Sequence, residues 1–120
     1  MTLRYPIQYL ERSDFTSSGD LVPSLQKKPI FVMFQADGCF HCTNSKPDFQ
    51  RLADSKFITC MTIQGDGTTP GEQALKPLIP KIYPGIVGYP SYMLFSKGRK
   101  IPYTGGRDMG SMKRFIQANI

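Results

Sequence analysis

The sequence lacks the main features of membrane-spanning proteins and of disulfide-stapled secreted modules. No apolar run approaches the roughly 20 residues that a membrane helix needs. The N-terminal stretch MTLRYPIQYLERSDF has neither an unbroken apolar segment nor a small-residue cleavage site. The three cysteines cannot all pair within one chain. We therefore expect a soluble, cytoplasmic protein with no membrane partner, whose cysteines serve chemistry rather than architecture.

Acidic residues are few, and the formal net charge is +6 at pH 7. The basic residues form separate clusters at 27–28, 97–100 and 113–114, with no continuous basic arm. No nucleic-acid-binding module is recognisable, so we interpret these clusters as solvated faces and do not expect nucleic acid as a partner. Internal repeats, low-complexity tracts and linkers are also absent. A chain of 120 residues with 40% hydrophobic residues is typical of one globular domain, here spanning residues 1–120.

The apolar pattern predicts alternating strands and helices, with a hairpin and a helix at the end. The run PIFVMFQA, residues 29–36, is apolar without alternation, which is typical of a central strand buried on both faces. A helix is predicted from Phe40 to about Ser55, kinked near Pro47. The other predicted elements are a strand over 5–10, a broken helix over 11–26, a strand over 56–63, a broken helical segment over 71–83, two strands joined by a turn over 91–105, and a helix over 108–120. This order indicates an α/β three-layer sandwich with a mixed sheet.

Two cysteines stand three positions apart in the segment CFHC, residues 39–42. Residues at this spacing on a helix have Cβ atoms about 5–6 Å apart, and a disulfide tolerates Cα separations of roughly 4.4–6.8 Å. Cys39 and Cys42 can therefore bridge. Cys39 would lie at the helix start, where free N–H groups and the helix dipole favour a thiolate and make it the better nucleophile. Cys42, one turn deeper, is suited to attack a mixed disulfide at Cys39 and release the product thiol.

With these cysteines, later segments of the chain resemble the thioredoxin superfamily. CFHC follows an apolar strand, Pro47 comes five residues after the second cysteine, and GIVGYPSYMLF, YTGGR and MKRFIQANI follow in the family's order. The likeness covers residues 30–120. It implies a thioredoxin fold, a three-layer α/β/α sandwich with a mixed central sheet. It also implies an oxidoreductase that exchanges disulfides with protein disulfide or dithiol substrates, without a dissociable cofactor, and with a redox partner such as a reductase or oxidase.

The resemblance assigns roles to four further residues. The residue matching Pro90 follows a cis peptide bond beside the cysteines in this family, and the backbone of Tyr89 would pair with an extended substrate. Phe40 and His41, between the cysteines, would support the site. A histidine in this position, as in CGHC of protein disulfide isomerases, is expected to stabilise the Cys39 thiolate by a hydrogen bond or a positive charge. This would favour the dithiol and make the disulfide more oxidising than that of ordinary thioredoxin.

Several positions depart from the family pattern. Gly38 replaces the usual tryptophan before the first cysteine, which predicts a more open site. Met33 replaces a buried acidic residue that helps deprotonate the second cysteine, so we hypothesise slow activation of Cys42. The segment Gly65–Gly88 is longer than in compact thioredoxins and rich in proline. Cys60, on a predicted strand, is interpreted as a small buried hydrophobe.

Two other classes of function remain open at this point. One is a thioredoxin-fold binding or assembly module with weak redox activity, although the retention of both Cys39 and Cys42 counts against it. The other is a metal site, but structural zinc usually needs four Cys or His ligands. Only Cys60 and His41 could complete such a set, and His41 is poorly placed beside Cys42. We therefore expect no metal. The direction of exchange is also open, because a cytoplasmic setting favours reduction whereas His41 favours oxidation or isomerisation.

Overall fold

The computed structural model describes all residues from 1 to 120 and contains one five-stranded sheet. The strands are β1 (Gln8–Tyr9), β2 (Ile30–Gln35), β3 (Thr59–Gln64), β4 (Ser91–Ser96) and β5 (Arg99–Tyr103). The α-helices are α1 (Phe40–Asp54), α2 (Pro70–Leu75), α3 (Ile79–Ile82) and α4 (Met109–Asn119). Short 3-10 helices cover Arg12–Asp14, Pro23–Leu25 and Lys76–Leu78. No helix combines the length and the apolar character needed to cross a lipid bilayer.

The sheet is mixed and has the strand order β1-β3-β2-β4-β5. Strands β1, β3 and β2 are parallel, whereas β4 runs antiparallel to β2 and β5 antiparallel to β4. The two-residue turn Lys97–Gly98, with φ of 53° and 75°, joins β4 to β5 in the backbone conformation that suits a tight hairpin. Because α1 connects the adjacent parallel strands β2 and β3, its start lies at the carboxyl end of the central strand.

Two hydrophobic cores cover the two faces of the sheet. One packs α1 and α4 against alternate residues of the central strands, among them Phe31 and Met33. The other packs α2, α3 and two residues of the N-terminal segment, Phe15 and Leu21, against Val32 and Phe34. All six residues of β2 are buried, as its unbroken apolar run predicts. The prediction of a three-layer α/β/α sandwich with a mixed central sheet is confirmed.

Two predicted elements differ from the structure. The first strand is only Gln8–Tyr9, not the whole of 5–10, because this short segment pairs with β3 along two residues. The segment 11–26 is not a broken α-helix but two 3-10 turns separated by a bridge between Phe15 and Leu21. These two side chains are buried in the second core, so tertiary packing determines the path of a segment whose local signals are weak.

Candidate active site

Cys39 is the N-cap residue of α1, directly after the loop that leaves β2. The loop is held by Asp66, whose two carboxylate oxygens accept the backbone N–H of Asp37 at 3.1 and 3.0 Å. Burial opposes ionisation of Asp66, but hydrogen bonds from the Asp37 backbone and the Gln64 side chain hold its pKa below its usual range. The loop at the end of β3 thus fixes the position at which α1 begins.

The Cys39 sulfur lies among polar backbone groups. Its Sγ accepts a hydrogen bond from the backbone N–H of Cys42 at 3.2 Å, and its thiol donates to the carbonyl oxygen of Tyr89 at 3.5 Å. Cys39 is half-buried and therefore reachable from solvent. The predicted location at the start of the helix is confirmed, and the N–H contact at this point favours negative charge on the sulfur.

Cys42 is fully buried one turn further along α1. Burial, the largest cause, and the hydrogen bond with Cys39 raise the pKa of the Cys42 thiol to about 11. The backbone of Ala36 and the positive charge of Lys46 act in the opposite direction. The two thiols therefore share one site in unequal environments, with Cys39 accessible and Cys42 shielded.

Tyr89 and Pro90 reach the cysteines from the loop before β4. The peptide bond between them is cis, and the Tyr89 carbonyl oxygen faces Cys39. Pro90 is buried, whereas Tyr89 is half-buried. The Tyr89 ring packs on Gly65, where a Cβ atom would overlap it. A glycine at 65 thus permits the close approach that brings this loop to the site.

Phe40 and His41 lie on the outer side of the site. Phe40 is 74% exposed, and the exposed His41 ring packs edge-on against it with centroids 5.6 Å apart. The hydrogen bonds of Cys39 go to Cys42 and Tyr89, so His41 does not make the hydrogen bond that was one of its two expected modes of support. An effect of His41 on Cys39 would have to act through its charge.

Comparisons with known proteins place the chain in a family. No protein-family model matches it. The chain is 35% identical over a 127-residue alignment to the thioredoxin-like protein 453L of Invertebrate iridescent virus 6, with 92% of each chain covered. The chain belongs to the thioredoxin superfamily. It is also 30% identical over 95 residues to protein disulfide-isomerase erp38 of Neurospora crassa, covering 74% of this chain but 24% of that protein.

Solved structures agree on the fold of this thioredoxin-superfamily protein. Thioredoxin f2 of Chlamydomonas reinhardtii superposes with a TM-score of 0.65 at 16% identity, covering 93% of this chain and 94% of that one. At this identity the likeness concerns the fold alone. The thioredoxin fold predicted from the sequence is confirmed.

The departures from the family pattern have physical consequences in the structure. A Cβ atom added at Gly38 would meet no other atom within 4 Å, so the surface directly before Cys39 is open at this position. Met33 is buried in the apolar core under α1 and supplies no carboxylate there. Cys60 is buried on β3, and burial raises its pKa to about 12. The interpretation of Cys60 as a buried hydrophobe is confirmed. The segment Gly65–Gly88 folds into α2, a 3-10 turn and α3.

Two residues near the cysteines, Lys46 and Asp37, are not among the site residues that the sequence predicts. Lys46 is only 2% exposed, and its ammonium group pairs with Asp37 at 3.4 Å. Asp37 itself is 63% exposed and lies in the loop before Cys39. The sequence does contain a signal that Lys46 lies near the site, because Lys46 follows Cys42 by four residues and so shares its helix face. A lysine is expected to be solvated, however, so its residue type predicts an exposed side chain.

Proposed function

We propose that this protein is a thiol–disulfide oxidoreductase that exchanges disulfides with protein substrates through Cys39 and Cys42. The observation that carries the proposal is the pairing of an accessible thiol at a helix N-terminus with a buried thiol one turn below it. The sulfur of Cys39 accepts the N–H of Cys42 at 3.2 Å, a contact that favours its thiolate. The likeness to protein disulfide isomerases supports the same chemistry.

The exchange runs in two displacements. The Cys39 thiolate attacks one sulfur of a substrate disulfide, forming a mixed disulfide and releasing the other substrate sulfur as a thiolate, which takes a proton from water. Cys42 then loses its proton to solvent and attacks the Cys39 sulfur. The mixed disulfide breaks and the second substrate thiolate leaves. The substrate disulfide has then been reduced by two electrons, and Cys39 and Cys42 have been oxidised to a disulfide. The reverse sequence oxidises a substrate dithiol.

The surface around Cys39 suits an extended polypeptide. The Tyr89 backbone, whose carbonyl oxygen faces Cys39, offers polar groups to a substrate strand, and the buried Pro90 follows it directly. Phe40 presents an exposed aromatic ring at the rim. A second redox protein must regenerate the starting state, a reductase if substrates are reduced and an oxidase if they are oxidised. We also propose a cytoplasmic setting, which favours net reduction, whereas His41 between the cysteines favours oxidation or isomerisation.

The experiment that tests this function is catalysis of insulin disulfide reduction. At micromolar concentration, with dithiothreitol as electron donor, the wild-type chain is expected to accelerate precipitation of the insulin B chain well above the rate with dithiothreitol alone. A binding or assembly module without exchange chemistry would leave that background rate unchanged, and this outcome would contradict the proposal.

His41 tests the direction of exchange. If its positive charge stabilises the Cys39 thiolate, the dithiol is favoured and the disulfide is more oxidising. A stabilisation of about 1.4 kcal/mol corresponds to about 30 mV. We therefore expect the reduction potential of the Cys39–Cys42 couple to be higher than that of ordinary thioredoxin. His41→Ala should lower this potential by about 30 mV. Titration against glutathione buffers measures both values. A potential unaffected by the substitution would show that His41 has no such role.

A further inference from the structure

Lys46 is a charged residue buried on the same helix face as Cys42. We propose that Lys46 is a positioning cation, which stabilises the thiolate of Cys42 while Cys42 attacks a mixed disulfide at Cys39. The inference rests on the proposed function and adds a residue to its second step. It answers how a fully buried thiol is activated in a site where Met33, in the core under α1, is apolar.

The Lys46 side chain extends past Cys42 toward the N-terminus of α1. Lys46 follows Cys42 by one helical turn, and its side chain is 2% exposed. Its Nζ reaches Oδ1 of Asp37 at 3.4 Å, nine residues back along the chain and before the start of α1. Since helix side chains lean toward the N-terminus, the Lys46 stem runs along the face that Cys42 occupies. Asp37 then holds the charge at the level of the two cysteines.

A purely structural role does not explain a lysine in this position. Lysine is almost never fully buried unless it is paired, because removing an ammonium group from water is costly. An apolar side chain of similar length would fill the same space without that cost. Its partner Asp37 is 63% exposed and remains solvated on its own, so the pair contributes little by itself to stability.

Lys46 is the cation that acts on Cys42, and the other titratable groups that interact with Cys42 are Cys39, Tyr89 and Tyr92. Two other cations lie further out: the charge of Arg107 acts on Tyr92, and His41 is exposed on the outer surface beside Phe40. Asp37 lies beyond the Lys46 ammonium. Burial raises the pKa of Tyr89 and brings that of Tyr92 to about 12, so both phenols are neutral near pH 7.

Formation of the mixed disulfide leaves Lys46 as the charged side chain that acts on Cys42. In the dithiol, Cys39 raises the pKa of Cys42 through a hydrogen bond and through its charge. Both effects end when the Cys39 sulfur is joined to a substrate, because that sulfur then carries neither proton nor charge. Burial still opposes ionisation of Cys42, and the Ala36 backbone and the Lys46 charge favour it.

The test separates the two displacements with the aromatic disulfide of Ellman's reagent. Attack by Cys39 releases one thionitrobenzoate and leaves a second on Cys39, and attack by Cys42 releases that one. Stopped-flow absorbance follows the two phases across pH in the wild type, Lys46→Met, Lys46→Arg and Lys27→Met. Lys27, exposed before the amino end of β2, is the control for loss of one positive charge far from the site. Circular dichroism checks that each variant is folded.

We expect Lys46→Met to slow the second phase only. Each unit by which the pKa of Cys42 rises lowers the thiolate fraction about tenfold, while the more basic thiolate regains about threefold in nucleophilicity. Release at pH 7 should therefore slow about threefold per unit, and its pH dependence should move to higher pH. Lys46→Arg should keep the wild-type pH dependence, and Lys27→Met the wild-type rates.

Three outcomes would count against these proposals in different ways. If the wild type shows no fast first phase, the proposed function itself fails. If Lys46→Met gives wild-type second-phase rates and pH dependence, the role of Lys46 is refuted while the function stands. If Lys46→Met and Lys46→Arg slow the second phase equally with no change in pH dependence, Lys46 serves packing only, which also overturns the inference.

Discussion

Replacing Cys39 with serine is expected to abolish the reduction of insulin disulfides, leaving only the rate with dithiothreitol alone. Serine keeps the size of the side chain and can still accept the N–H of Cys42, so the helix start should be preserved. The hydroxyl cannot form a mixed disulfide. Cys42 cannot substitute for Cys39, because it is fully buried and its pKa is about 11. The loss should therefore be complete rather than partial.

The matched variant Cys42→Ser should fail in a different way. It retains the attacking thiol but lacks the one that resolves, so mixed disulfides should accumulate at Cys39 and appear as higher-mass species on non-reducing gels. Cys39→Ser should trap nothing. If Cys39→Ser retained half or more of the wild-type insulin activity, the assignment of the attacking sulfur would be wrong. Capture of substrates by Cys42→Ser would in addition identify the natural partners.

Phe31→Ala should cause the largest loss of stability. Phe31 is fully buried in β2, and its ring lies 5.7–6.4 Å, centroid to centroid, from four other aromatic rings: Phe49, Tyr92, Tyr103 and Phe115. Truncation leaves a cavity between the sheet and the helices α1 and α4. Such Phe→Ala changes cost about 3–5 kcal/mol of the free energy of unfolding. Urea denaturation followed by circular dichroism measures this difference.

The same substitution at Phe40 is the control. Phe40 is 74% exposed at the start of α1, so Phe40→Ala should change the free energy of unfolding by no more than about 0.5 kcal/mol. Equal destabilisation by the two variants would contradict the assignment of Phe31 to the core. A large effect of Phe40→Ala alone would place the stabilising contacts on the surface of the site instead.

The central layer of the fold could be predicted because its signals are local and strong. The run around Phe31 is apolar at every position, which fits a strand covered on both faces. The helix starting at Phe40 follows from its periodic apolar residues, and the turn at Lys97–Gly98 from its glycine. Segment 11–26 could not be predicted in detail, since its path depends on how Phe15 and Leu21 pack in a core whose other residues lie far along the chain.

The site was predictable only in part. The spacing of Cys39 and Cys42 indicated their chemistry, whereas the contact of Cys39 with Tyr89, 50 residues away along the chain, was expected only from the family resemblance. Burial of Lys46 could not be predicted from residue type, because it depends on a carboxylate in the preceding loop. The orientation of the His41 ring toward Phe40 is likewise a feature that spacing does not reveal.

The most direct measurement is the rate at which iodoacetamide modifies each thiol of the reduced wild-type protein near neutral pH, followed cysteine by cysteine by mass spectrometry. Our account predicts that Cys39 reacts at least about tenfold faster than Cys42, given the accessible helix-terminal position of the first and the burial of the second. Cys60, buried on β3, should remain unmodified while the protein is folded. Equal and slow modification of Cys39 and Cys42 would contradict the account.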